Sequence, residues 1–395
     1  MTGGAALAGS AAIVGTLAAA QASGAPAPAQ ASGAPAPEQA VHRVIPFHGT
    51  HQAGIEMADP QAHQILVALD LRDGTDADAV RRLLSLLTDD ARRLTAGHGP
   101  LADLEPELAA TPARLTVTFG FGAGLVAAVR GRGAVPSWLG PLPAFSRIDR
   151  LQDRWSGGDL VLQIASDDPT TLAHAMQQLV RDARAFGTVR WSQSGFRHAA
   201  GTLPPGTTMR NLFGQVDGSA NPAPGSAAFA DLVWRDDDWL AGGTTMVVRR
   251  ITMDLDGWEK VSRDGREFAI GRRLADGAPL TGGREHDEPD LDATDATGFT
   301  VIGPAAHVRR ARTEDRTQQI LRRAYNFDLG PAEADPTGLI FTAFQRDVLH
   351  QFVPLQERLA EQDMLNAWTT PIGSAVFAVP GGVAEGEFVG QGLFA

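Results

Sequence analysis

The pattern that most narrows the fold is a doubled rhythm of strand and helix. Residues 64–72 form an apolar run bounded by polar side chains and read as a buried strand. Residues 76–96 follow as a helix, with Leu83, Leu84, Leu87 and Leu94 at helical spacing and Asp76 placed to cap it. Residues 115–121 alternate as a strand, and 158–165 form another. Asp168-Pro169 opens a helix to about Phe186, with proline in the first turn, where its missing N–H costs nothing. The second half repeats this. Residues 244–254 form a strand, 255–263 a short helix, 338–345 a strand, 348–363 a helix and 374–379 a closing strand. Residues 274–298, acidic and rich in Gly and Asp, are expected to be a surface loop. This order predicts an α+β fold: two ferredoxin-like modules with antiparallel sheets packed together in a barrel-like way. The modules are expected over residues 41–210 and 211–395, with a cleft for a site where they meet.

Residues 1–40 stand apart from that fold. Residues 3–20 are small and apolar, like the hydrophobic part of a signal peptide, and hold too many small residues for a lipid-facing anchor. The first basic side chains are His42 and Arg43, so the natural leader is expected to begin upstream of this sequence. A near-duplicated Ala-Pro segment follows, an extended and solvated spacer.

Composition removes several classes of function. The net charge of −12 argues against nucleic acid as a partner, since phosphate binding needs a basic surface. With no cysteine there are no disulfides, thiolate metal sites, iron–sulfur clusters, thiolate-ligated haem or cysteine nucleophiles.

The most deliberate stretch is Arg210-Asn-Leu-Phe-Gly-Gln-Val-Asp-Gly-Ser-Ala-Asn-Pro222. It sets Asp217 in a loop bracketed by Gly214 and Gly218, able either to face a cavity or simply to turn the chain. His48 and His51, three apart, fit a metal pair or a polar loop. His307 lies between small residues and arginines, in Gly303-Pro-Ala-Ala-His-Val-Arg-Arg310. Arg322 follows fifteen residues later beside Arg323 and the sole tyrosine, Tyr325. Asp347 ends a strand, where an acid either serves a site or caps the next helix.

Together these motifs resemble the dye-decolourising peroxidases. The resemblance is carried by Gly214-x-x-Asp217-Gly218, Ala306-His307-Val308-Arg309, Leu321-Arg322-Arg323-Ala324-Tyr325 and Phe344-Gln-x-Asp347, in that order. Residues 47–55, 156–160 and 210–214 are similar to the exported branch, which also contains deferrochelatase-like proteins. The resemblance implies one haem b per chain in the second module. His307 matches the proximal iron ligand, Asp217 the distal acid, Arg322 the distal arginine, and Asp347 the acid that accepts from the ligand histidine. Arg309 is a propionate partner by charge and position, and Asn221, Gly218 and Ser219 are placed near the haem edge. Tyr325 is the first choice for relaying electrons from bulky donors, with the seven tryptophans behind it. The implied function is reduction of hydrogen peroxide to water with oxidation of dyes, phenols or other one-electron donors. The alternatives are a haem-handling protein that carries haem or releases its iron, and a haem-free binding module. Export, by a twin-arginine-type route, and no stable membrane anchor complete the expectations.

Overall fold

The computed structural model describes residues 43–395, so the expected leader and spacer lie outside the described residues. The first half supplies β1 (His63–Leu71), α1 (Ala77–Thr95), β2 (Thr116–Phe121), α2 (Ala123–Arg130), β3 (Leu160–Ser166), α3 (Pro169–Ala183) and β4 (Gly187–Phe196). The two long helices start where their acids stand. Asp76 accepts from the Ala79 amide at 2.8 Å and Asp168 from the Thr171 amide at 2.7 Å. The second half follows with α4 (Ala227–Val233), β5 (Thr244–Met253), α5 (Leu255–Glu259), α6 (Arg263–Ile270), α7 (His307–Arg310), β6 (Leu321–Arg322), β7 (Tyr325–Asp328), β8 (Thr337–Gln345), α8 (Val353–Gln362) and β9 (Thr369–Val379).

All nine strands belong to one antiparallel sheet in the order β5-β9-β2-β3-β1-β4-β7-β8-β6. Because β5 also pairs with β8, the sheet closes on itself. Within each half the order is that of a ferredoxin-like unit. The halves meet at strand edges, through Phe121 opposite Ala378 and Phe196 opposite Asn326. Strand alternation divides the core accordingly. Ile65, Val67 and Leu69 of β1 pack with the leucines of α1 and α3, whereas Leu66 and Ala68 join Val161, Trp191, Met246, Val248, Phe344 and Phe377 inside the ring. A third cluster, around Met209, Phe213, Trp258, Ile270 and Leu365, packs beneath the loops that carry the chemistry.

β4 and the short helices α2 and α4 were not anticipated from the sequence pattern. β4 is exposed along one face, leaving few apolar residues to betray it. The expected helix over 348–363 begins as a π turn, Val348–Phe352, before continuing as α8. Residues 274–298 form loops and turns, with isolated bridges between Arg272 and Pro279 at their start and between Thr294 and Thr300 at their end. Among the described residues, no helix is long and apolar enough to cross a membrane.

Candidate active site

His307 opens the one-turn helix α7, which approaches the end of α6 closely enough to require glycine there. Gly271 ends α6 at φ 87°, and a Cβ on it would stand 2.4 Å from Val308 Cγ1. Met364 N donates to Ala305 O at 2.9 Å, bringing the turn after α8 against the His307 loop. That turn carries Asp363. Its Oδ1 accepts from the Leu365 amide at 3.0 Å, and its Oδ2 lies 2.6 Å from His307 Nδ1. Burial pushes the imidazole pKa down, but the Asp363 charge and hydrogen bond outweigh it and the net shift is upward. The side chain still exposes 22 % of its surface. With Nδ1–H directed at the carboxylate, Nε2 keeps its lone pair.

The acid expected beside His307 was Asp347, and this is corrected. Asp347 accepts from the Leu349 and His350 amides at 2.8 and 2.9 Å and so caps the π turn. Asp347 and Asp363 flank one helical segment. At 1.5 Å per residue they stand about 24 Å apart along it, too far to serve one histidine. Nothing local in the sequence separates two acids at opposite ends of a helix. Only the contact of the 363–367 turn with residue 305 does so.

Asp217 and Arg322 come together. Arg322 Nη1 donates to Asp217 Oδ1 at 2.8 Å, and among the described residues Asp217 Oδ2 has only a long contact, 3.5 Å, from Asn211 Nδ2. Gly218 turns the loop at φ 126°. Arg322 sits on β6, and the Asn221 side chain grips its main chain at both polar atoms: Nδ2 donates to Arg322 O at 2.8 Å and Oδ1 accepts from Arg322 N at 2.9 Å. The amide expected at a cofactor edge is therefore engaged in positioning the arginine.

His307 and Arg322 line one cleft together with Gly218 and Ser219. Its empty space, open mouth included, is ≈ 1140 Å³. Asp217 stands behind this wall, reaching the cleft through Arg322, and it shares a second cavity with Arg322. The charges of Arg322 and Asp217 both act on the His307 ring. Ile270, Ile320, Phe341, Leu355 and Leu359 give the cleft apolar walls, and Arg272, Arg312 and Arg316 add cations. Burial pushes the Arg272 and Arg312 guanidiniums down, and neighbouring arginines add to it. A flat, apolar, dicarboxylate macrocycle fits this set: one available imidazole nitrogen, greasy walls and crowded guanidiniums.

One further expectation is corrected. Arg309 donates to the main-chain carbonyls of Ile302 and Leu291, tying α7 to the preceding loop, and does not line the cleft. Tyr325 is fully buried with its hydroxyl donating to Gln61 O at 2.9 Å, so it presents no edge to solvent. Burial raises its pKa. The His48 and His51 rings each contact a main-chain carbonyl, and His51 stacks on Trp234 at 3.8 Å. Among the described residues no group of three potential ligands surrounds a metal position.

Fold and cleft together describe a closed two-unit α+β sheet carrying an imidazole-ligand cofactor site. The family comparisons agree. Residues 52–197 match the model for the N-terminal part of Dyp-type peroxidases, and 208–384 match that for the C-terminal part. A dye-decolorizing peroxidase of Thermobifida fusca is 39% identical over 360 residues, 87% of this chain and 83% of the relative. A deferrochelatase of Yersinia pestis is 33% identical over 374 residues, 88% of this chain and 84% of the relative. The crystal structure of a DyP-type peroxidase from Cellulomonas bogoriensis is 53% identical, with a TM-score of 0.86, covering 90% of this chain and 99% of that one. The chain belongs to the Dyp-type peroxidase family.

Proposed function

We propose that His307 Nε2 holds haem b in this cleft, and that Asp217 and Arg322 do the proton and charge work of peroxide reduction beside it. The chain is a haem-dependent peroxidase. One observation carries the assignment of roles: a single cleft is lined by an imidazole oriented by a carboxylate and by an arginine paired to an acid. Haem, when bound, supplies the redox-active iron at which peroxide is reduced.

The side chains supply the rest. Asp363 holds the proton on Nδ1 and gives the imidazole anionic character, which strengthens it as a ligand. Asp217, set behind Arg322, takes a proton from hydrogen peroxide through one water at Oδ2, the oxygen not engaged by Arg322, and returns it the same way to the departing oxygen so that water leaves. A guanidinium does not titrate in the working range, so Arg322 stabilises negative charge as the O–O bond breaks. Arg272, Arg312 and Arg316 suit the carboxylates of the cofactor.

Dyes and phenols are the proposed donors. The test is steady-state oxidation of an anthraquinone dye by hydrogen peroxide in the haem-loaded protein. Asp217→Asn and Arg322→Leu should keep haem and lose about 10²-fold or more of the rate of reaction with peroxide. His307→Ala should lose stable haem binding. Parent rates in both distal variants would refute the assignment. The deferrochelatase relative motivates a rival outcome, in which the loaded protein yields metal-free porphyrin and turns over no dye. The apolar stretch over residues 3–20 supports an exported protein. Fractionating cells that express the full chain tests this, and retention in the cytoplasm would exclude it.

A further inference from the structure

A second cavity backs onto the cofactor cleft across the Gly218–Ser219 turn, and both share Arg322. It encloses ≈ 930 Å³ counting its open mouth. Its charged wall is Arg197, Asp217, Arg322 and Arg323, with His286 besides. Asp217 is matched to Arg322, which leaves two cations over. Among the described residues no carboxylate pairs with Arg197 or Arg323, whereas nearby Arg114 has both Asp59 and Asp167.

Neither leftover guanidinium is idle in water. Arg323 is 4 % exposed and donates to the main-chain carbonyls of Gly54, Ile55 and Met57 at 3.2, 2.5 and 3.3 Å. Burial pushes it down to about 10, and the neighbouring Arg197 charge adds to that. Arg197 lies 5.6 Å from the Tyr325 ring, with its Nε enclosed and without a hydrogen-bond partner among the described residues. Two like charges in a partly desolvated cavity, lacking a counter-ion, raise the energy of the folded state, and a bound anion relieves it.

We propose that this cavity binds a small carboxylate-bearing organic molecule, gripped by the Arg197 fork with the Arg323 charge behind it. The planar fork matches a carboxylate in bidentate fashion. Met57, Pro60, Pro222 and Ala223 offer an apolar wall for an organic body, which a bare inorganic anion would not use. The occupant lies beside the Asp217–Arg322 pair and outside the cofactor cleft, so the inference goes beyond the peroxidase reading and stands without it.

Calorimetric titration of benzoate into the haem-loaded full chain, with the Soret band followed in parallel, tests it. Benzoate should bind one to one without moving the band, and its neutral counterpart benzamide should not bind. Arg197→Gln should weaken benzoate about tenfold or more, the worth of a charge-assisted hydrogen bond. Arg197→Lys keeps the charge but not the fork and should weaken it less, about threefold. If Arg197→Gln does not fold, the lysine variant decides. Unchanged affinity in both variants overturns the proposal, as does equal binding of benzamide. A Soret shift on binding overturns it by making iron the receptor. Binding by the haem-free chain that loading abolishes also overturns it, because these charges would then belong to the carboxylates of the cofactor.

Discussion

Replacing Asp363 by asparagine changes little in shape and much in charge, and so isolates what the carboxylate does for His307. The parent carboxylate serves two donors at once, the Leu365 amide on Oδ1 and His307 Nδ1 on Oδ2. An asparagine cannot accept from both with equal strength. With its carbonyl kept on the Leu365 amide, its NH₂ faces Nδ1, which must then accept, and the ring proton moves to Nε2, where no lone pair remains for iron. Flipped, it keeps the Nδ1–H bond but surrenders the cap, at a cost of about 0.5–2 kcal/mol. In that flipped form the hydrogen bond to His307 also loses its charge, worth about 1.5–3 kcal/mol. Haem affinity should therefore fall about 10- to 100-fold. Part of the lost charge stabilised the oxidised iron, so the midpoint potential of the loaded protein should rise. At about 59 mV per tenfold for one electron, that range bounds the shift at about 60–120 mV. Spectroelectrochemical titration of parent and variant measures it. Asp347→Ala is the control: the loss of a cap should lower stability by about 0.5–2 kcal/mol and leave the potential alone. A potential unmoved in Asp363→Asn, or moved in Asp347→Ala, would refute the assignment of the histidine's partner.

Asn221→Ala removes both side-chain bonds to the Arg322 main chain. It should slow the reaction with peroxide while costing about 1–3 kcal/mol of stability, read by stopped-flow absorbance and urea unfolding. Gly271→Ala puts a Cβ against Val308 at a left-handed φ. It should destabilise the fold by about 1–3 kcal/mol and weaken haem binding through the adjacent His307. Tyr325→Phe should cost about 1 kcal/mol and leave dye turnover at the parent rate, because the hydroxyl is sealed inside the sheet. Asp90 gives a pH signature away from the site. Burial, then the hydrogen bond and charge of Asp182, push its carboxyl up to about 7 from 3.8. The folded state thus keeps a proton that the unfolded chain releases from about pH 4 upward, so stability falls as pH rises through that window and the penalty is complete above about pH 7. Asp90→Asn should raise stability at pH 8 by about 2–4 kcal/mol and change little at pH 4, with chemical denaturation at the two pH values as the check.

The sequence disclosed most of what depends on periodicity and little of what depends on where chain segments cross. Strands and helices with an apolar face, such as β1 and α1, declared themselves because burial fixes which positions are greasy. β4 did not, since one of its faces stays in water. At the site, His307, Asp217 and Arg322 were legible because their neighbours are unusual: small residues before the histidine, glycines around the acid, a second arginine beside the first. Asp363, Arg272, Arg312 and Arg316 carry no such mark. Each is an ordinary charged residue in its own segment and acquires meaning only from an approach across the fold. Arg309 failed for the opposite reason. Proximity in sequence to a functional residue suggested a shared cavity, but α7 turns Arg309 toward the 291–302 carbonyls.

The same crossings explain how the chemistry is kept rigid. Each side chain proposed to act is held by an element remote in sequence: His307 by Asp363 after α8, Arg322 by Asn221 in the loop before α4, and Asp217 by Arg322 itself. Arg323, next to Arg322, reaches across to the carbonyls of residues 54–57, and β7 just beyond it bridges to β4. The arginine of the distal pair therefore sits on the seam where the two halves of the sheet close. Loosening that seam should disturb Arg322 before it disturbs His307, whose supports all come from the second half. Substituting Arg323 by methionine, which keeps bulk but severs those three bonds, should therefore slow the reaction with peroxide while haem remains bound. If haem were lost as readily as rate, the two sides of the cleft would share one support, and this division of labour would be wrong.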